Sequence, residues 1–232
     1  MNERYVQASM KHLIVNGDDF GASAGVNRGI VEAHRWGILT STSLIVDAPR
    51  SEEAALVSRT FPRLSVGLHV HLVHEAAGEK YRAELWRQLR RFRALTGHWP
   101  THLDSHRNVH RNPRILPYFL ELAHLHGLPM REHSSVRYLR KFYGQWGGET
   151  HFEQITSENL LQILDTEVRE GITELSCHPG YVDADSPSTY SVEREAELRT
   201  LCDPVIRKAL DKRHIQLISF AEARGLLAGM RT

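Results

Sequence analysis

From His12 onward, short apolar or β-branched runs alternate with longer segments of helical period, and no other feature limits the fold more. Seven runs read as strands: His12–Asn16, Thr42–Val46, Leu64–Val70, Thr101–Asp104, Leu128–Arg131, Thr173–Cys177 and Ile215–Ile218. Helices fill the gaps. One runs from Ser23 to Trp36 and ends at Gly37, and another covers Ser51–Arg59. Leu85, Leu89, Phe92 and Leu95 then form one helical face that ends at Gly97. Asn112 and Pro113 suit a cap and first turn, with Gly127 as the stop. Ser157 caps a helix with Leu160, Leu161, Leu164 and Val168 inward, stopped at Gly171. A long helix is expected over Val192–Lys212, and Ser219–Glu222 has capping-box spacing for a short terminal one. Residues 132–156 show no clear period and read as a long loop. Alternating strand and helix implies a mostly parallel sheet. Seven strands in 232 residues predict a single domain, 1–232, built as an irregular (β/α) barrel, with residues 1–10 a loose extension.

Composition narrows the function. A net charge of +1 argues against a strongly basic nucleic-acid surface. No apolar run reaches membrane-spanning length, and the N-terminus lacks a signal-peptide core. Two cysteines give no disulfide framework. A cytoplasmic protein is expected. The unusual total is 15 histidines, several of them in "GLHVHLVHE" and "THLDSHRNVH".

The polar residues fall at the C-terminal ends of the expected strands. Asp18 and Asp19 follow the first, His69 ends the third, and Asp104 and His106 end the fourth. Arg131 ends the fifth, and His178 follows the sixth. In barrels that end carries the active site.

Two adjacent carboxylates repel and lose hydration on burial, so something must compensate. A cation on one of them would do so and leave the other free as a base. Histidine and carboxylate ligands with open positions are what hydrolytic metal chemistry needs. His102, His106 and His110 would share a face on a helix. If "THLD" is extended, His102, Asp104 and His106 fall on one side instead, and this is the favoured reading. Cys177 and His178 point to opposite faces of a strand, so Cys177 reads as a core thiol and His178 as a proton donor. The arginines of "WRQLRRFR" read as a solvated helix face. Gly21, Gly25 and Gly29 match no phosphate-loop spacing.

The chain resembles the YdjC-like carbohydrate deacetylase family from about Lys11 to Leu227. The matching stretches are "LIVNGDDFGASAGVNRGI", "GILTSTSLIV", "LSVGLHVHL", "PTHLDSHRNVH", "ELSCHPGYVD" and "YSVEREAELRTL". The family includes chitooligosaccharide deacetylases and a hopanoid biosynthesis-associated branch, to which the short form here is nearer. The resemblance implies an irregular barrel and hydrolysis of an acetyl group on an N-acetylated sugar. It implies one divalent metal, zinc or magnesium, held by Asp19, His69 and His106. It further implies Asp18 as base, His178 as acid, Arg131 as the residue orienting Asp18, and a homodimer. Asn108 stands where many members have histidine, and the segment after His74 is shorter than usual, which would open the site to a larger substrate. The alternatives are a non-haem iron oxygenase, a phosphoesterase, and a family member that binds sugar or metal without turnover.

Overall fold

A computed structural model of the chain describes residues 10–72, 78–183 and 188–229. Residues 1–9 and the segment after His74, both named above, lie outside the described residues.

The centre of the sheet is β1 (Lys11–Phe20), whose Leu13, Ile14 and Val15 are fully buried. Burying such side chains contributes roughly 1.5–3 kcal/mol each. The chain then runs through α1 (Ala24–Trp36), β2 (Ser41–Leu44), α2 (Ser51–Ser58), β3 (Ser65–Val70), α3 (Glu79–Thr96) and β4 (Leu103–Ser105). It continues through α4 (Leu116–His126), β5 (Arg137–Leu139), a hairpin of β6 (Gln145–Trp146) and β7 (Glu149–Thr150), and α5 (Ser157–Thr166). Last come β8 (Gly171–Cys177), α6 (Val192–Leu201), α7 (Pro204–Lys212), β9 (Ile215–Leu217) and α8 (Phe220–Gly229). The main sheet is parallel, with order β4-β3-β2-β1-β8-β5. β9 pairs with β1 over Lys11–Leu13, below the β2 pairing at Asn16–Phe20. The result is the expected irregular parallel α/β barrel, a curled half-barrel. No helix among the described residues is long and apolar enough to cross a membrane.

Several elements differ from the sequence expectation, each for a physical reason. Leu128–Arg131 forms only a single bridge, Leu103 to Met130. Leu103 and Arg131 still donate to Pro129 O and Leu103 O, but Pro129 has no N–H with which to extend the ladder. The sheet takes its outer strand instead from β5, inside the stretch read as a loop. Asn112 caps no α-helix; its side chain accepts from Arg114 N, and the helix begins at Leu116 next to Pro117. The cap of α5 is Thr156 rather than Ser157, accepting from Asn159 N at 3.1 Å. The long C-terminal helix is two helices, because Pro204 opens α7 and Asp203 caps it through Val205 N. The Ser219–Glu222 capping box forms as expected. On α3, Arg87 and Arg91 are not merely solvated, since both pair with Asp47 beyond β2.

Gly25 and Gly29 have a packing role. A Cβ at Gly29 would lie 2.4 Å from Gly180 Cα, and one at Gly25 would lie 2.5 Å from Tyr181 O. Helix α1 therefore presses directly on the backbone that follows His178.

Candidate active site

Successive strand residues normally point to opposite faces, yet Asp18 and Asp19 both reach the mouth of the barrel. The register of β1 against β2 shifts between Gly17 and Phe20, and Asp19 adopts φ 68°, in the left-handed region. This bulge brings the second carboxylate to the same end of the strand as the first. Non-glycine residues rarely adopt that conformation, and it is retained here where the surroundings over-determine it.

Asp18 is engaged on both oxygens. Arg131 Nη1 donates to Oδ2 at 2.7 Å and Nη2 to Oδ1 at 2.8 Å, while Asn16 Nδ2 donates to Oδ1 at 2.8 Å. Arg131 is 3 % exposed and gathers two further acids. Glu174 Oε1 accepts from its Nε and Nη2 at 2.9 and 2.6 Å, and Asp104 Oδ2 lies 2.9 Å from Nη2. Burial works against the Arg131 charge, but Asp18, Glu174 and Asp104 outweigh it and hold the proton firmly. Glu174, buried beside those two carboxylates, is pushed up to about 7.

Asp19 faces the other way. Its Oδ2 accepts from Arg194 Nη2 at 2.6 Å. Its Oδ1 has no hydrogen-bond partner among the described residues and faces His69 Nε2 at 3.4 Å and His106 Nε2 at 3.9 Å. Burial would raise its carboxyl, but the approach of His69 and the charges of Arg194 and His178 hold it well below the usual range. His69 donates from Nδ1 to Asp104 Oδ1 at 2.7 Å. Burial lowers His69, yet Asp104 and Asp19 carry it up to about 10. Burial pushes His106 down to about 4, which leaves a neutral imidazole.

These facts decide which residues could hold a cation. Asp18, His69 and Asp104 bring ligand atoms within 4.8 Å of one another. The oxygens of Asp18 and Asp104, however, already accept from Arg131, Asn16, Ser43 and His69. Asp19 Oδ1 is the carboxylate oxygen in this cluster without a donor, and two imidazole Nε2 atoms point at it. A buried carboxylate oxygen without a donor, facing two imidazoles, fits a divalent ion even though the other oxygen of Asp19 is held by Arg194.

On the opposite side, His178 Nε2 is 4.0 Å from Asp18 Oδ2, and its Nδ1 is 3.8 Å from Glu197 Oε1. Burial would lower His178, but Glu197, Asp18 and Asp19 outweigh it and raise its affinity for a proton. Glu197 is itself fixed by the His178 backbone N–H and the Tyr190 hydroxyl.

The other histidines of "HLDSHRNVH" serve elsewhere. His102 is buried, stacks on Phe220 at 3.8 Å and meets Ser43 Oγ at 3.0 Å. His110 Nδ1 meets Ser105 Oγ at 2.6 Å, and its Nε2 is 3.3 Å from Glu132. Residues 106–111 form a 3-10 turn, with Arg107 and Asn108 left-handed, which presents His106 at the mouth. Glu132 anchors that turn through His110 and Arg111 and also accepts from Arg140. Burial would raise it, but Arg111 and Arg140 bring its carboxyl down from 4.5 to about 2. A lowered carboxyl stabilises the fold above its unfolded value and loses that contribution as pH falls toward the folded one. The Glu132→Gln variant will therefore be about 1 kcal/mol less stable at pH 7, discounted for the exposed arginines. Urea midpoints of variant and wild type will converge as pH falls from about 4.5 toward about 2.

All seven polar residues expected at the strand ends are brought together there. Sequence reasoning missed the roles of Asn16, Glu174, Arg194 and Glu197. Asn16 and Asp18, like Glu174 and His178, share a strand face at period 2, and Arg194 and Glu197 share a helix face at i, i+3. Cys177 is a buried core thiol, as expected, with Sγ 3.3 Å from Asn16 O.

The sequence profile of the YdjC-like proteins matches residues 12–81 and 74–212. The chain belongs to the YdjC-like family. This YdjC-like chain is 33% identical over 249 residues to a carbohydrate deacetylase of Geobacillus stearothermophilus, covering 91% of this chain and 98% of that one. It is 33% identical over 256 residues to a chitooligosaccharide deacetylase of Serratia marcescens, covering 91% and 99%. Among solved structures, a protein of Enterococcus faecalis V583 suggested to cleave cellobiose-phosphate superposes with TM-score 0.79 at 26% identity, covering 92% and 99%. The YdjC-like fold is shared at 13% identity with a family 4 acetyl xylan esterase of Clostridium thermocellum in complex with a cobalt ion, TM-score 0.56, covering 93% and 91%.

Proposed function

We propose that this protein is a divalent-metal-dependent hydrolase that removes the acetyl group from an N-acetylated amino sugar. The observation that carries the reading is the unpartnered Oδ1 of Asp19 between His69 and His106, with the Asp18–His178 pair beside it. The deacetylase names of the relatives and the cobalt ion of the esterase agree with it.

Asp19, His69 and His106 would hold the cation. When bound it supplies a polarised acetyl carbonyl and an acidified water. Asp18 takes the proton of the attacking water, in an orientation fixed by Arg131 and Asn16. His178, beside Glu197, gives its proton to the leaving amine as the acetyl group departs as acetate. Asp104 holds His69 with Nε2 toward the site. Two histidines and one carboxylate would also suit a non-haem iron oxygenase. A base and an acid flanking the same mouth favour hydrolysis.

The test is acetate release from chitooligosaccharides, N-acetylglucosamine and a hopanoid glycoside. Each is assayed with chelated protein and after adding back zinc, magnesium, manganese or iron. Metal-dependent release is expected; oxygen-dependent turnover with iron would reverse the reading. His106 is half-buried, so His106→Ala will fold, and metal analysis will show it losing both its stoichiometric cation and acetate release. A full complement of metal in that variant would refute the ligand role.

A further inference from the structure

Ser43, on β2, is fully buried and touches the residues behind both halves of the candidate site. Its hydroxyl donates to Asp104 Oδ2 at 2.6 Å, and Asp104 holds His69. Asn16 Nδ2, which also donates to Asp18, donates to Ser43 Oγ at 2.8 Å. The third polar neighbour of Ser43 is His102 Nε2, at 3.0 Å. A hydroxyl has one proton and two lone pairs. The Ser43 proton is given to Asp104, so toward His102 the hydroxyl can only accept.

His102 therefore carries its proton on Nε2. Burial pushes this imidazole down to about 4, against the pull of Asp104, so it is neutral and its Nδ1 is bare. Nδ1 lies 2.9 Å from Thr101 Oγ1, which donates to it. Thr101 in turn accepts from Ser65 Oγ at 2.7 Å, and Ser65 accepts from Ala221 N at 3.1 Å. Ser65 opens β3 and Ala221 lies in the first turn of α8, so this chain of bonds starts at the end of the sheet opposite the mouth. Every proton in it points toward Asp104. Aligned bonds of this kind polarise one another.

The ring has no room to turn. It stacks on Phe220 at 3.8 Å and 18°, and a Cβ added at Gly67 would lie 2.4 Å from its Cε1 and Nε2. Any flat ring could fill that slot, but only an imidazole gives each of its two polar neighbours a partner.

Resting on the metal-dependent reading, we infer that His102 is a positioning residue for the candidate ligand His69. Its Nε2–H commits the Ser43 hydroxyl to Asp104, and Asp104 so fixed holds His69 with Nε2 toward the mouth. His102 itself touches neither cation nor substrate.

The experiment compares His102→Gln, whose amide N–H extends to the place of Nε2, with His102→Met, which has similar reach and no donor. Zinc dissociation constants are measured by competition with a chromogenic chelator, and thermal melts check folding. His102→Met will bind zinc about tenfold more weakly, at the lower end of what losing an outer partner costs, and His102→Gln will stay within about threefold of the wild type. Wild-type affinity in both variants overturns the proposal. An equal loss in both also overturns it, because the shape of the ring and not its N–H would then be decisive. If His102→Met does not fold, Ser43→Ala removes the same bond to Asp104, and wild-type affinity there overturns the proposal. If the wild type itself binds no zinc, magnesium, manganese or iron, the metal reading fails, and proton NMR decides the positioning role alone. The signal is the His69 Nδ1–H bonded to Asp104, assigned by its loss in His69→Gln. Exchange with water at least tenfold faster in His102→Met than in His102→Gln supports the role, and equal exchange overturns it.

Discussion

An Asp18→Asn variant will bind its cation as the wild type does and release acetate roughly 10²–10⁴-fold more slowly, the range that a positioned general base contributes. The separation of the two effects follows from the geometry. Asp18 has both oxygens occupied by Arg131 and Asn16, while the unpartnered oxygen belongs to Asp19. Replacing Asp18 therefore leaves the three candidate ligands, Asp19, His69 and His106, untouched. The amide places an N–H₂ group against Arg131, so the rate is to be compared per bound metal, on protein whose melting temperature has been recorded. A variant with full metal and a normal rate would sink the assignment of Asp18 as base.

Arg131→Met will be the most damaging single change to stability. It strands Asp18, Asp104 and Glu174 without their shared cation. Removing one partner from a buried ion pair costs on the order of 3–5 kcal/mol, and here three acids lose the same partner. Urea denaturation will show a loss of at least that order at pH 7. The pH dependence has a definite sign. Without Arg131, buried carboxyls are raised above their unfolded values, so the variant is weakest at high pH and recovers as pH falls and they take up protons. Glu174 is already drawn up to about 7 in the wild type and will be the first to do so. A loss that grew on acidification would contradict this account.

The site was legible because its residues close apolar runs of the chain, even where, as at Leu128–Arg131, the run forms a bridge and not a strand. Asp18, His69, His106, Arg131 and His178 each sit where an apolar run gives way to polar chain, and a parallel sheet brings such ends together. The partners that tune them were not legible. Glu174 meets Arg131 across 43 positions, and Arg194 meets Asp19 across 175. No local pattern encodes those meetings. The bulge at Asp19 was hidden for a related reason. Its positive φ falls on an aspartate rather than a glycine, and the surrounding contacts impose it. Strand β5 escaped notice because Arg137-Tyr138-Leu139 carries little apolar surface and joins the sheet at its edge. The break between α6 and α7 was written in Pro204, but an apolar period that runs through Asp203–Pro204 concealed it.

The bulge in β1 has a consequence for how such an enzyme can diversify. The candidate base and the candidate ligand are neighbours on one peptide, in a strand paired on both sides. The spacing between proton acceptor and cation is thereby set by covalent bonds. A change elsewhere at the mouth can therefore alter what meets the site without altering that spacing.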